Sequence, residues 1–146
     1  MTPEKASCRD HSQIVSLITK VAELSILPNL NREGKSYFLS RIVPDLKQVM
    51  SNDSYGIYKI QDEHNLIGFG AIRDDDYITH LFIDTRYQGT GLGKTLLRQL
   101  LKDTTGPARL RSSINAVDFY HSQGFVATGS EESVNGLRYL RMQRSS

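Results

Sequence analysis

The stretch Gln88-Gly89-Thr90-Gly91-Leu92-Gly93-Lys94-Thr95 decides the fold, because it joins a hydrophobic segment to an amphipathic one. Glycines in alternate positions let the backbone run close to a ligand, since glycine has no Cβ and tolerates positive φ. A helix that starts here points its unpaired N–H groups and the positive end of its dipole at that ligand. The stretch, called the glycine loop below, therefore predicts a binding site for phosphate or pyrophosphate.

The segments on either side of the glycine loop predict a strand and a helix. Residues 77–87 are rich in β-branched and aromatic residues and contain no glycine or proline, which favours a central strand. Leucines recur at helical spacing from Gly91 to about Lys102, and residues 103–107 then break the chain. The glycine loop is therefore expected to be a strand-to-helix turn.

The last third of the chain predicts a short strand at residues 108–112, a helix over residues 115–123 and a further strand after it. Asn115 is expected to cap this helix, with Asp118 in an arrangement like a capping box. Gly124 is expected to end the helix in the left-handed conformation.

The first half of the chain predicts two helical stretches and a hairpin. Residues 11–26 carry an apolar stripe of helical period, and a second stretch runs to about Ser51. Pro44 lies inside the second stretch and is expected to split it into two helices. Residues 1–10 contain no convincing strand. Two strands are expected at residues 55–60 and 66–73, joined by a hairpin loop.

Two known phosphate-binding loops compete for the glycine loop. The nucleotide-binding P-loop requires G-x-x-x-x-G-K-[ST]. Gly93 and Lys94 match its end, but Gln88 stands where the first glycine belongs and Gly89 is one residue too close. The pattern Q/R-x-x-G-x-G/A is matched at each specified position by Gln88, Gly91 and Gly93. In this the chain resembles the GNAT superfamily of N-acetyltransferases.

A second motif extends the resemblance to about residues 55–142. Family members commonly show A-x-x-(F/L)-Y-x-x-x-G-(F/Y) after a short strand, and residues 116–125 of this chain fit it throughout. Two motifs in the right order are more specific than either alone. One position departs from the family, because Ser113 stands where many members place an asparagine that contacts pantetheine.

The resemblance implies the fold and the reaction. The fold is α/β (α+β), an acyl-CoA N-acyltransferase domain over residues 1–146 whose central, mostly antiparallel mixed sheet has about six or seven strands flanked by helices. Acetyl-CoA would be the donor and a primary amine of a small molecule or peptide the acceptor, attacking directly in a ternary complex. The family also includes dimers, so a homodimer is one option. Fold alone does not select the acceptor.

The resemblance also assigns roles at the site. Backbone groups of Leu81, Phe82 and Ile83 would bind the pantetheine arm and the thioester, and Tyr120 would protonate the departing thiolate. Tyr120 could instead be only a core tyrosine. His80, just before the thioester segment, is a candidate general base or a structural histidine in the sheet. The implied contacts to the rest of CoA come from Gln88, Gly89, Thr90, Gly91, Leu92, Gly93, Lys94, Ser113 and Tyr120.

Composition agrees with a small enzyme and excludes some other classes. The net charge of +2 is too small to indicate a nucleic-acid partner. The single cysteine, Cys8, cannot form an internal disulfide, and no signal peptide or membrane-length apolar run is present, so we expect a cytoplasmic protein. The acidic run Asp74-Asp75-Asp76 is expected to be a solvated turn, and no metal is expected.

Two other functions remain open at this stage. A non-catalytic sensor on the same fold would bind acetyl-CoA and never turn it over. A P-loop nucleotide-binding protein would bind ATP, although the displaced first glycine and the short remaining chain disfavour it.

Overall fold

The computed structural model describes residues 1–145, which form eight strands and four α-helices. The strands are β1 (Glu4–Lys5), β2 (Tyr55–Asp62), β3 (Asn65–Arg73), β4 (Tyr77–Ile83), β5 (Ala108–Ser113), β6 (Val126–Ala127), β7 (Glu132–Val134) and β8 (Leu137–Arg144). The α-helices are α1 (His11–Ser25), α2 (Arg32–Ser51), α3 (Leu92–Leu100) and α4 (Val117–Ser122). No helix within this part of the chain is long and apolar enough to span a bilayer. The cytoplasmic location stays a prediction.

The strands lie in the order β1-β2-β3-β4-β5-β8-β6, and β7 also pairs with β8. Every pairing is antiparallel except the one between β4 and β5. The expected mixed, mostly antiparallel sheet flanked by helices is confirmed. The sheet has eight strands rather than six or seven, because three pieces of only two or three residues join it at its ends.

The parallel pairing between β4 and β5 is very short. Only Tyr77 with Arg109 and Ile78 with Leu110 are partners, and beyond Ile78 strand β4 is bonded to β3 alone. The two strands diverge from that point, so the sheet opens into a V between them. We call this opening the seam; it leaves the backbone groups on one edge of β4 without a strand partner.

Helices cover the two faces of the sheet. On one face α1 and α2 pack on β3, where Leu17, Leu46 and Phe69 share one buried cluster. On the other face α3 lies so close to β3 that a Cβ added at Gly70 would stand 2.8 Å from Leu100 Cδ1. Gly70 therefore lets α3 pack closely on β3.

Helix α2 is continuous through Pro44, so the expected split is wrong. Proline removes one helical hydrogen bond, which normally breaks or kinks a helix. Here Ile42, Leu46 and Val49 are all buried, so the apolar stripe continues in register across the proline. The packing of this stripe outweighs the lost hydrogen bond, and Pro44 itself lies exposed.

Asn115 does not cap α4, which corrects a second expectation. A 3-10 turn over Ile114–Ala116 precedes the helix, and α4 starts at Val117 with no side-chain cap. The Asn115 side-chain amide instead donates to the backbone oxygen of Ser25, the last residue of α1. That carbonyl has no partner within its own helix, so it competes successfully for the amide. Gly124 does end the helix with φ of 92°, as expected.

The first strand exists but is only two residues long. Glu4 and Lys5 of β1 pair with Lys59 and Tyr58 of β2. Both β1 side chains are charged and exposed, so no apolar alternation marks the strand in the sequence.

The β7–β8 hairpin turns through Asn135 and Gly136, both with positive φ, and the last strand starts at Leu137. The start of α2 lies directly on this turn. A Cβ added at Gly34 would stand 2.3 Å from the Gly136 carbonyl oxygen. Asn31 caps α2 by accepting a hydrogen bond from the Gly34 N–H at 2.8 Å. Gly34 therefore allows a contact between helix and hairpin that no other residue could make unchanged.

Candidate functional site

The free edge of β4 brings together the residues expected to hold the pantetheine arm. Leu81, Phe82 and Ile83 pair with β3 on one side and lie beyond the last β5 partner on the other. Ile83 is buried against Leu96 of α3, whereas Phe82 packs against the cluster under α1 and α2. Their side chains fix the strand from both faces, and their backbone groups toward the seam stay available to a ligand.

A carboxylate clamp fixes the turn that follows β4. Asp84 is buried and accepts from the Arg86 backbone N–H at 3.0 Å and from the Arg86 guanidinium at 3.0 and 3.2 Å. The Lys20 ammonium of α1 lies 3.5 Å from the same carboxylate. These contacts, the Arg86 side chain first, lower the pKa of Asp84 to about 2. Asp84 therefore caps the turn and ties it to α1.

The three glycines of the glycine loop do different things. Gly89 and Gly91 have φ of 82° and 88°, and a Cβ at either one would meet no protein atom within 4 Å. Gly91 immediately precedes α3, so this open space lies at the helix N-terminus. A Cβ at Gly93 would instead stand 3.4 Å from the Phe119 ring of α4. The first two glycines therefore border open space, whereas the third packs against α4.

The polar side chains of the glycine loop are only partly directed outward. The Gln88 amide donates to the Ile83 backbone oxygen at 3.1 Å, and the Thr90 hydroxyl donates to the Tyr87 backbone oxygen. Lys94 is exposed. The N–H groups of the first helical turn, Leu92 to Lys94, have no acceptor within α3. The geometry thus offers backbone donors and one exposed cation to an anion.

A cationic groove of about 380 Å³ runs from Lys94 between α3, the end of α4 and the end of β8. Arg98 of α3 and Arg144 of β8 line it together with Lys94, and no acidic residue does. Neither arginine is among the residues predicted to form the site. Arg98 stands four residues after Lys94, so helical spacing could have revealed it, whereas Arg144 is brought there only by the fold.

Tyr120 lies in the buried cluster between α3, α4 and the strands next to the seam. Its ring packs edge-on against Phe119 and Phe125, with centroids 5.2 and 5.7 Å away. Burial raises the pKa of the phenol, so the hydroxyl stays protonated at neutral pH. Among residues 1–145, every fully buried polar side-chain atom has a hydrogen-bond partner. The Tyr120 hydroxyl has no such partner, so it is not fully buried and reaches solvent. Such a group can donate a proton but cannot act as a base.

His80 lies on the face of β4 that α1 and α2 cover. Its ring packs edge-on against Phe69 at 5.8 Å, and Nδ1 lies 2.9 Å from the Thr79 hydroxyl. Burial lowers the pKa of His80 to about 4, against a weak opposing attraction from Asp45. The imidazole is therefore neutral at pH 7 and free to accept a proton, although it is a weak base.

His80 should make the protein sensitive to mild acid. Its pKa is about 4 in the folded state and about 6.5 in the unfolded chain, so the unfolded chain takes up a proton first as the pH falls. The free energy of unfolding should drop by about 1–2 kcal/mol between pH 6.5 and pH 4.5 on this account. His80→Gln should remove that part of the pH dependence in urea titrations. His121→Gln, which changes an exposed histidine, should retain it; equal slopes for both variants would contradict the assignment.

Two further expectations concern residues outside the seam edge. Ser113 ends β5, is half-buried and pairs with Tyr139, so it lies at the far end of the seam from the parallel pairs. Asp74 and Asp75 form the tight β3–β4 turn with positive φ and are exposed. No cluster of metal-ligating side chains exists among residues 1–145.

Known proteins share this arrangement. Residues 26–146 match the family model described as the acetyltransferase (GNAT) domain. The chain belongs to the GNAT family. GCN5-related N-acetyltransferase 2, chloroplastic, of Arabidopsis thaliana is 32% identical over 112 residues, which is 70% of this chain and 43% of that relative. The chain thus spans less than half the length of that curated relative.

Solved GNAT structures match over nearly the whole chain. The GCN5-related N-acetyltransferase from Rhodopseudomonas palustris superposes with a TM-score of 0.84 at 19% identity, covering 99% of this chain and 95% of that one. The PaiA N-acetyltransferase from Thermoplasma acidophilum, solved in complex with coenzyme A, gives 0.77 at 18% identity, with both chains fully covered. These likenesses confirm the GNAT fold that the two motifs predicted.

Proposed function

We propose that this GNAT chain transfers the acetyl group of acetyl-CoA to a primary amine. The observation that supports this most directly is the seam, whose free β4 edge runs straight into the open space at Gly91 and the N-terminus of α3. A thioester on a long flexible arm that ends in a pyrophosphate suits this shape. The arm would lie along β4, and the pyrophosphate would meet the unpaired N–H groups.

The residues of the seam can perform direct transfer. The neutral amine attacks the thioester carbonyl carbon, and a backbone N–H of residues 81–83 would stabilise the developing oxyanion. The C–S bond then breaks, and the thiolate takes the proton of the Tyr120 hydroxyl. His80 is neutral at pH 7 and would accept the proton that the amine loses. Lys94, Arg98 and Arg144 supply positive charge near the phosphates.

Calorimetric titration tests the donor first. Acetyl-CoA should bind with micromolar affinity, and ATP with magnesium should give no heat. Saturation with acetyl-CoA and a panel of amines should then release free CoA thiol. Binding of ATP without binding of acetyl-CoA would support the P-loop alternative and contradict the proposed acetyl transfer. Tight binding with no thiol release from any amine would favour the sensor.

Tyr120→Phe separates the enzyme from the sensor. Removing only the hydroxyl keeps the ring packing against Phe119 and Phe125, so the protein should fold and bind acetyl-CoA within about 2-fold of the parent. Turnover should fall by about 100-fold, the usual contribution of a positioned proton donor. The comparison is kcat from thiol release against Kd from calorimetry. Tyr55→Phe, at the start of β2 and away from the seam, is the matched control, and an unchanged kcat in Tyr120→Phe would dismiss the acid role.

A further inference from the structure

Three arginines stand together on the exposed face of β5 and β8. Arg109 and Arg111 alternate with the buried Ala108 and Leu110, so their side chains share the opposite face. Arg141 of β8 is the direct partner of Arg111 and is exposed as well. We call these three residues the arginine face.

The arginine face lies on the same side of the sheet as His80. Tyr77, the β4 partner of Arg109, lies under the Arg109 guanidinium at 5.9 Å, so both side chains share one face. Thr79 is an extra residue in β4, because Ala71 pairs with His80 and Ile72 with Ile78. Tyr77 and His80 therefore point to the same face even though they are three positions apart.

Arg111 is the first residue of this face beyond the last parallel pair. It stands one position after Leu110, where β5 has already lost its β4 partner. From strand spacing and rise, its backbone lies roughly 5–10 Å from that of His80 across the seam. An acceptor whose amine reaches the thioester from this face would have its next few atoms beside Arg111.

The charges of the arginine face are unevenly compensated. The Arg109 guanidinium lies 3.5 Å from the Asp76 carboxylate, and that of Arg141 lies 2.9 Å from Glu132. Arg111 forms no ion pair with any carboxylate of residues 1–145 and directly opposes Arg141. Like charges on directly opposed strand positions destabilise a sheet. An anion bound at Arg111 would relieve this repulsion.

Arg111 is also held in place for binding. Its guanidinium carbon lies 4.9 Å from the centre of the Tyr139 ring, and that tyrosine is buried. Stacking fixes the plane of the guanidinium, so less side-chain freedom is lost when a ligand binds. A planar, oriented guanidinium matches the two oxygens of a carboxylate.

We propose that the acceptor carries a carboxylate a few bonds from its amine and that Arg111 binds this carboxylate. The acceptors are thus amino acids or ω-amino acids. This inference rests on the proposed acetyl transfer, because Arg111 positions the acceptor for that reaction.

The test compares amino acids with their own carboxamides, which share shape and lack the charge. At saturating acetyl-CoA the parent protein should show kcat/KM at least about 10-fold higher for the carboxylate member of the best pair. Arg111→Gln should lower that value by about 10- to 100-fold through KM, and leave the carboxamide unchanged. Arg111→Lys keeps the positive charge but loses the planar guanidinium. Its kcat/KM for the carboxylate should lie between those of the parent and Arg111→Gln. Arg109→Gln, whose parent residue is already paired with Asp76, should stay within about 2-fold.

The outcomes separate this inference from the proposed function. Arg111→Gln should bind acetyl-CoA like the parent, because Arg111 lies away from the glycine loop. Failure of the parent to bind acetyl-CoA would end the proposed function itself. Normal acetyl-CoA binding with equal rates for carboxylates and carboxamides, or with no carboxylate accepted, would overturn only the role of Arg111. Preference for phosphoethanolamine over every carboxylate would likewise overturn it.

Discussion

Gly91→Val is expected to remove measurable acetyl-CoA binding, raising the Kd by more than about 100-fold. Its side chain would enter the space where no protein atom lies within 4 Å, directly before α3. In the proposed complex that space holds the pyrophosphate, which must come close to the backbone to receive its N–H groups. Calorimetry with acetyl-CoA measures the effect.

The control for Gly91→Val must account for backbone strain. A side chain at φ of 88° costs about 1–3 kcal/mol wherever it stands, so the variant should melt earlier than the parent without ligand. Gly124→Ala places similar strain at φ of 92° outside the glycine loop and controls for the change in melting temperature alone, because its Cβ would also press on the Arg144 side chain at 3.2 Å. Parent-like affinity in Gly91→Val would show that the pyrophosphate lies elsewhere.

Gly34→Ala is expected to destabilise the protein more than Gly106→Ala or Gly124→Ala does. The new Cβ would lie 2.3 Å from the Gly136 oxygen and 2.8 Å from its carbonyl carbon, both backbone atoms that no rotamer can move. Overpacking of this kind costs about 2–4 kcal/mol. The melting temperature should fall by roughly 5–12 °C for a chain of this size. Thermal unfolding followed by circular dichroism measures it.

Gly106→Ala is the matched control for this variant. Its φ is not positive, and a Cβ there would meet no atom within 4 Å, so the melting temperature should stay within about 2 °C. If Gly34→Ala melted like Gly106→Ala, the start of α2 would not lie on the β7–β8 turn as described.

The sequence predicted the elements next to the glycine loop well, because local signals are strong there. Gly91 before the leucines of α3 marks strand, turn and helix without reference to distant residues. Gly124 likewise marks the end of α4. The family, the sheet type and the order of the helices followed from these motifs. The assigned site residues remain predictions.

The errors arose where distant contacts decide the outcome. Pro44 suggests a break, but the buried Ile42 and Leu46, two residues before and after it, hold α2 together. Asn115 fits a cap, yet a carbonyl 90 positions away takes its amide. The sequence around Gly34 gives no sign that the Gly136 carbonyl packs against this residue. The face shared by His80 and Arg111 depends on one extra residue in β4, and a bulge of that kind shifts side-chain direction without a sequence signature.

The short parallel pairing at the seam also divides the sheet into two parts. Strands β2 to β4 form through nearest-neighbour hairpins, as do β7 and β8, and such local pairings close quickly. In the sheet the two parts meet through only two residue pairs. The buried cluster that holds Ile78 and Leu110 also joins them, as do the Asn115 bond to α1 and the Gly34 contact with the β7–β8 turn. Sub-global opening in the native protein should therefore begin by separating these two parts. Amide hydrogens in residues 79–83 would exchange faster than their burial suggests, and a ligand lying in the seam would act as the missing strand.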